Sequence, residues 1–144
     1  MGAAAQNACG IAIICIGLHH AFLVIKPSPR ALRILVVDDE QLIRLSIKMV
    51  LKDDGHSVEE SSSGEEALAK FQADHFDLVF TDQSMAGMKG TDLAVAIKQH
   101  ANACPVVMVT AYAQMLPSKL PGVDCIVSKP FKLAEIRDAI ARVI

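Results

Sequence analysis

The sequence lacks a basic stripe, a Cys-x-x-Cys pair, an internal repeat and any low-complexity tract. Its 14 lysines and arginines are balanced by 16 aspartates and glutamates, and the formal net charge is -2. This balance argues against direct binding to nucleic acid. The cysteines show no paired spacing, so neither a disulfide framework nor a cysteine metal site is expected, and a reducing cytosol fits. They are Cys9, Cys15, Cys104 and Cys125.

Residues 1–30 differ in composition from residues 31–144, which we predict to form one domain. Residues 8–25 are almost entirely apolar and reach the lower length limit of a membrane-spanning helix, but His19 and His20 interrupt them and are costly in lipid. A membrane tether through this extension is therefore the less favoured interpretation. The alternatives are an extra helix packed on the domain and an extension without a structural role. We expect a cytoplasmic protein.

From Arg33 onward, short apolar runs alternate with amphipathic segments of helical period. The run at 56–61 is more polar and is predicted to lie at a sheet edge. The other runs are typical of buried strands and cover residues 34–37, 78–80, 106–109 and 125–127. Near-continuous apolar strands separated by helices indicate an α/β fold with a doubly wound parallel sheet.

The helices between these strands carry recognisable end signals. Gly55 follows the first helical segment as a stop, and Ser63 opens the second in a capping box with Glu66. A third helix is predicted near 91–100, and a final one carries apolar positions from Leu133 to Val143.

Polar side chains stand where the buried strands end. Asp38 and Asp39 follow the first run, Asp82 the third strand, and Thr110 and Lys129 the last two. Because ligands bind beyond the carboxyl ends of parallel strands, we expect these groups to converge. Three carboxylates together repel one another unless a hard cation such as Mg²⁺ joins them. Taken singly, the first two aspartates also suit helix caps, the threonine a strand position and the lysine an exposed surface.

The segment 33–144 resembles a two-component response-regulator receiver domain, and is similar to the receivers of hybrid histidine kinases. The resemblance implies a five-stranded parallel sheet in the flavodoxin-like order 2-1-3-4-5. The matching motifs are Ile34-Leu-Val-Val-Asp38-Asp39-Glu40, Asp82-Gln-Ser-Met85-Ala-Gly-Met88-Lys-Gly90, Val109-Thr110-Ala111 and Lys129-Pro130-Phe131.

By this resemblance Asp82 is the phosphoacceptor. Asp39, Asp82 and the Ser84 backbone carbonyl would ligate Mg²⁺ directly, and Asp38 would act through a bound water. Thr110 would hydrogen-bond the phosphoryl group and Lys129 would pair with it. The family also implies a cis peptide between Lys129 and Pro130.

The family resemblance implies a signalling phosphoacceptor and not an enzyme acting on external substrates. The phosphoryl group would come from phosphohistidine on a sensor histidine kinase or a histidine phosphotransfer protein. No output domain follows Ile144 in this sequence, so we expect either output through contacts with a protein target or a domain that is a fragment of a larger protein.

The sequence departs from the family pattern at three places. Ile126 stands where many members have the aromatic residue of the switch, and Ala86 stands where proline is usual. Tyr112 is close in sequence to Thr110 but belongs to another loop. The stretch 110–129 contains two prolines and leaves at most two turns for the fourth helix.

Three other functions fit parts of the pattern. A metal-dependent phosphatase with an aspartate nucleophile usually needs a second acid two residues later, and position 84 is serine. A nucleotide-binding module would need a glycine-rich loop after the first strand, and none is present. A receiver that binds partners without phosphorylation is disfavoured because all five site residues are retained.

Overall fold

A computed structural model describes residues 30–144 of the chain. The apolar segment 8–25, the His19-His20 pair and two of the cysteines lie outside the described residues, so the predictions about them stay predictions. Within residues 30–144, no helix is long and apolar enough to cross a membrane. The elements are β1 (Arg33–Val37), α1 (Gln41–Asp53), β2 (Ser57–Ser61), α2 (Gly64–Ala73), β3 (Leu78–Thr81), α3 (Gly90–His100), β4 (Val106–Thr110), β5 (Cys125–Ser128) and α4 (Leu133–Val143).

The five strands form one parallel sheet in the order β2-β1-β3-β4-β5, which confirms the predicted fold class and strand order. The more polar strand β2 lies at an edge, as its composition predicts. The register pairs Val37 with both Ser61 and Thr81, and Thr110 with Ser128. The carboxyl ends of β2, β1 and β3 are therefore aligned, as are those of β4 and β5, and β4 extends two residues beyond β3. The residues that follow the strands meet at one edge of the sheet.

Both faces of the sheet are buried, because successive residues of β1 point into different cores. Ile34 and Val36 belong to a cluster that α1 and α4 cover, together with Ile47 and Ile136. A second cluster, which α2 and α3 cover, takes the alternate residues of β1 and β3. Two covered faces explain why the strands are apolar without alternation.

Helix α1 buries only one of its two apolar stripes. Ile47, Val50 and Leu51 pack in the core, at 0–4 % exposure. Leu42 and Met49 are exposed at 76 % and 71 %. Helical spacing shows that both stripes exist, but only packing decides which one faces the sheet.

The predicted helix signals act largely as expected. Gly55 adopts φ +86° after α1, its amide bonds to the carbonyl of Lys52, and the next amide returns to Leu51, as in a Schellman motif. Ser63 caps α2 by accepting from the Glu66 amide at 3.2 Å. The return bond differs from the expected one, because the Glu66 carboxylate accepts from the Ser62 amide and hydroxyl.

The connection from β4 to β5 contains one short 3₁₀ turn, Ala113–Met115, in agreement with the expected shortening of this region. A groove of about 510 Å³ lies between this connection, β5 and Arg142 of α4. Ile126, half-buried on β5, is part of its wall.

Candidate functional site

The strand ends bring a lysine between two carboxylates. Asp38 follows β1, Asp82 follows β3 and Lys129 follows β5. The Lys129 Nζ atom lies 2.7 Å from Asp38 Oδ2 and 3.5 Å from Asp82 Oδ2. All three side chains are at most 11 % exposed. The ammonium therefore partly balances two buried negative charges at the sheet edge.

Asp38 is held by hydrogen bonds at several of its oxygens. Its Oδ1 accepts from the Glu40 amide at 2.8 Å, and its backbone carbonyl accepts from Arg44 Nη1 at 2.6 Å. The side chain thus closes a turn before α1 and does not serve as the cap residue, which is Glu40. These bonds fix the carboxylate in place.

Burial and ion pairing have opposite effects on the charged forms of Asp38 and Lys129. Burial raises the pKa of Asp38, and this effect outweighs the hydrogen bond from Lys129. Burial works to lower the pKa of Lys129, but the hydrogen bond and charge of Asp38, together with the charges of Asp82 and Glu40, outweigh burial and the pKa is raised. Keeping Asp38 ionised therefore costs free energy, which a further cation would offset.

Carboxylate oxygens cluster at the start of α1. One ligand atom from each of Asp38, Asp39 and Glu40 can be chosen so that all lie within 4.8 Å of one another. Asp39 and Glu40 are exposed to solvent, and Asp38 is buried. A set of hard oxygen donors with one desolvated charge fits Mg²⁺. Sequence reasoning did not assign Glu40 to the site, although its place directly after two aspartates was a usable signal.

Asp82 lies at the same edge of the sheet, directly after β3, and is buried at 6 % exposure. Its amide donates to the Val37 carbonyl at 3.0 Å, and its Oδ1 accepts from the Gln83 amide at 2.7 Å. Ser84 comes two residues later, in the loop between β3 and α3. The predicted use of its carbonyl as a metal ligand stays a prediction.

Thr110 is completely buried at the end of β4. Its Oγ1 accepts from the Tyr112 amide at 3.2 Å, and its carbonyl accepts from the Lys129 amide at 2.9 Å. The threonine is thereby tied to the backbone that presents the lysine. The peptide from Lys129 to Pro130 is cis, as the family resemblance implied.

Neither position 112 nor position 126 carries a buried aromatic side chain. Tyr112 is 52 % exposed, and Ile126 is half-buried in the wall of the groove beside β5.

Most of the described part of the chain matches a known protein family. Residues 34–141 match the family model described as the response regulator receiver domain. This range contains the acidic cluster and all five strands except the first residue of β1.

Individual relatives agree with the family match. Chemotaxis protein CheY of Pseudomonas aeruginosa is 35 % identical over 118 residues, which are 78 % of this chain and 95 % of the relative. The transcriptional regulatory protein ResD of Bacillus subtilis is 34 % identical over 107 residues, but this chain spans only 44 % of its length. Among solved structures, the response regulator TrrA of Thermotoga maritima, in complex with Mg²⁺ and BeF, is 34 % identical with a TM-score of 0.72. The match covers 78 % of this chain and 98 % of that one.

Proposed function

Because this chain belongs to the response regulator receiver family, we propose that it accepts a phosphoryl group on Asp82 and signals through protein contacts. The donor would be phosphohistidine on a sensor histidine kinase or a histidine phosphotransfer protein. The observation that carries the proposal is the placement of Lys129 between Asp38 and Asp82, at 2.7 Å and 3.5 Å, beside an acidic cluster. A buried core alone would not need this arrangement.

The residues that would hold Mg²⁺ are Asp38, Asp39, Asp82 and the backbone carbonyl of Ser84. When bound, the metal supplies positive charge to the phosphoryl oxygens and relieves the repulsion among the carboxylates. Burial raises the pKa of Asp38, and this fits the assignment because a bound cation would favour the ionised carboxylate.

In the proposed transfer, a carboxylate oxygen of Asp82 attacks phosphorus as the phosphorus–nitrogen bond to the donor imidazole breaks. The Lys129 ammonium stabilises the charge on the phosphoryl oxygens, and the Thr110 hydroxyl donates a hydrogen bond to one of them. Positioning and electrostatics supply most of the acceleration, since the side chains perform no other covalent step. Attack by water later releases phosphate and regenerates the aspartate.

The donor protein needs a surface beside the site, and α1 offers one. Its exposed apolar stripe, Leu42, Leu45 and Met49, starts three residues after Asp39. We assign this stripe to the phosphohistidine-bearing partner, because a partner seated there would have its histidine next to the acidic cluster. Exposed apolar side chains grouped on one face are typical of contact surfaces.

A phosphatase acting on external substrates is the alternative function. It is disfavoured because position 84 carries no acid that could protonate a leaving group. Turnover of many substrate equivalents would be needed to support it.

Phosphorylation by a small donor tests the proposal. The protein is incubated with acetyl phosphate and Mg²⁺, and intact mass is measured for the wild type, Asp82→Asn and Asp138→Asn. We expect one added phosphate in the wild type and in the Asp138 variant, whose carboxylate is exposed on α4, and none in the Asp82 variant. Removal of Mg²⁺ with EDTA should abolish the gain. Equal phosphorylation of all three proteins would refute the assignment of Asp82.

A further inference from the structure

The loop between β3 and α3, residues 84–89, is closed at its base by Gln83. The Gln83 carbonyl accepts from the Gly90 amide at 3.1 Å. Its side-chain Oε1 accepts from the Thr91 amide at 2.9 Å, and its Nε2 donates to the Thr91 hydroxyl at 3.3 Å. Three hydrogen bonds from one residue therefore join the two ends of the loop.

Gln83 also accepts a hydrogen bond from the first turn of α3, in place of the residue at the cap position. The residue at the cap position of this helix, Lys89, makes no capping hydrogen bond with its side chain. The amide of Thr91 lies in the first turn and needs an acceptor, which the Gln83 side chain provides. Because the amide of Gln83 also donates to Asp82, the start of α3 is connected through one residue to the predicted phosphoacceptor.

The far side of the loop is held by Glu65 of α2. Glu65 Oε1 accepts from the Met88 amide at 2.7 Å. A Cβ atom at Gly87 would lie 2.5 Å from the same oxygen, and one at Gly64 would lie 2.8 Å from Met88 Cβ. The loop and the start of α2 thus approach closely at Gly64, where a side chain would collide with Met88. Gly87 is favoured for another reason, its φ of +77°, because the Glu65 carboxylate near it ends a flexible side chain. Glu66, next in sequence, serves the cap of α2, so the two glutamates have separate roles.

We propose that Glu65 and Gln83 are positioning residues, which hold the loop so that the Ser84 carbonyl is ready to ligate Mg²⁺. This inference rests on the proposed function, in which that carbonyl is a metal ligand. Neither side chain would touch the metal. A loop that is held at both ends loses little conformational entropy when the metal binds. A released loop must be ordered on binding, and this cost in entropy weakens the metal affinity.

The expected effect is a loss of metal affinity with little change in the fold. We expect Glu65→Ala and Gln83→Ala to weaken Mg²⁺ binding about 10-fold each, the lower end of the effects seen when residues that orient metal ligands are removed. Glu65→Gln should retain near wild-type affinity, because its amide oxygen can still accept from the Met88 amide. Gln72→Ala, an exposed glutamine on α2, is the matched control.

The test is isothermal titration of each full-length variant with MgCl₂, together with amide hydrogen exchange of Met88 and Thr91 by NMR. We expect faster exchange at Met88 in Glu65→Ala and at Thr91 in Gln83→Ala, and recovery at Met88 in Glu65→Gln. If wild type binds Mg²⁺ and both alanine variants bind within twofold of it, the inference is overturned and the proposed function stands. If wild type binds no Mg²⁺, the metal part of the proposed function fails and this inference fails with it. Should an alanine variant not fold, the other alanine variant and Gln83→Glu, which keeps an acceptor but loses the donor to Thr91, carry the comparison, and affinity within twofold of wild type would again overturn the inference.

Discussion

At the level of single residues, the ammonium of Lys129 stands between two carboxylates that are almost fully buried. Burial makes each charged form less favourable. Because the three groups are close together, the free energy of keeping one of them charged depends on the charges of the others. The same residues would serve phosphoryl transfer in the proposed function. Site residues of this kind influence stability as well as chemistry, and the two effects can be measured separately.

Replacing Lys129 with alanine should destabilise the protein by about 3 kcal/mol at pH 7 without Mg²⁺, because it leaves Asp38 buried without its ion-pair partner. Added Mg²⁺ should restore part of the loss by supplying positive charge. Urea unfolding followed by circular dichroism measures both effects. Lys119→Ala, at an exposed position in the β4–β5 connection, is the control and should change stability by less than about 0.5 kcal/mol. Equal stability of the two variants would contradict the buried ion pair.

At the level of secondary-structure elements, contacts between loops and helix ends set the site geometry. Gly90 begins α3 directly beneath the site, and a Cβ atom there would lie 2.0 Å from the backbone carbonyl oxygen of Asp82. Gly55 ends α1 with φ +86° and has nothing within 4 Å of such an atom. The two glycines are needed for different reasons, steric approach in one case and backbone conformation in the other.

These glycines predict different costs for the same substitution. Gly55→Ala should cost about 1 kcal/mol, the penalty of a left-handed conformation for alanine, and leave phosphorylation by acetyl phosphate unchanged. Gly90→Ala must displace the backbone of Asp82, so we expect a larger loss of stability and slower phosphorylation. Urea unfolding and intact-mass time courses measure the two quantities. Similar effects of both substitutions would show that the approach of α3 to Asp82 is not tight.

The exposed stripe of α1 leads to a prediction about partner recognition. Leu42→Asp should lower phosphoryl transfer from the cognate phosphohistidine protein about 10-fold, while transfer from acetyl phosphate stays unchanged. Stability should change little, because Leu42 is 76 % exposed. Met115→Asp, 82 % exposed in the 3₁₀ turn, is the matched control and should leave transfer from the partner intact. A Leu42 variant with normal transfer from its partner would remove α1 from the interface.

At the level of the whole molecule, ion pairs around β2 determine part of the response to acid. The hydrogen bond from Lys48 lowers the pKa of Glu60, and the hydrogen bond from Lys70 lowers the pKa of Glu66. A carboxyl whose folded-state pKa is lowered stabilises the protein above its unfolded value and loses that contribution as pH falls. Asp38 acts in the opposite direction, since burial raises its pKa and protonation favours the folded state.

We therefore expect the free energy of unfolding to fall as pH drops below about 4.5, the ordinary glutamate value. The two pairs should contribute about 1 kcal/mol together, since solvent screens both the half-buried Lys48–Glu60 pair and the more exposed Lys70–Glu66 pair. Urea unfolding from pH 7 to pH 3.5 measures the slope, and Glu60→Gln should flatten it. A Glu60 variant with an unchanged slope would show that this ion pair adds nothing to stability.

Much of the fold was predictable because its signals are local. Continuous apolar runs predict strands buried on both faces, and the residues directly after them predict where a site forms. The same reasoning could not choose between the two apolar stripes of α1, nor find the return bond from Glu66 to Ser62. Those outcomes depend on which neighbours pack against each element.

The amino-acid sequence by itself determined the alternating strands and helices, the parallel sheet and the placement of acids at strand ends, because each follows from hydrophobic period and from order along the chain. Only the tertiary structure decided that Lys129 reaches across 91 positions of sequence to Asp38, and that Glu65 holds the loop at Met88. Such contacts join residues from different elements, and their distances depend on how the helices pack on the sheet, which no local pattern encodes.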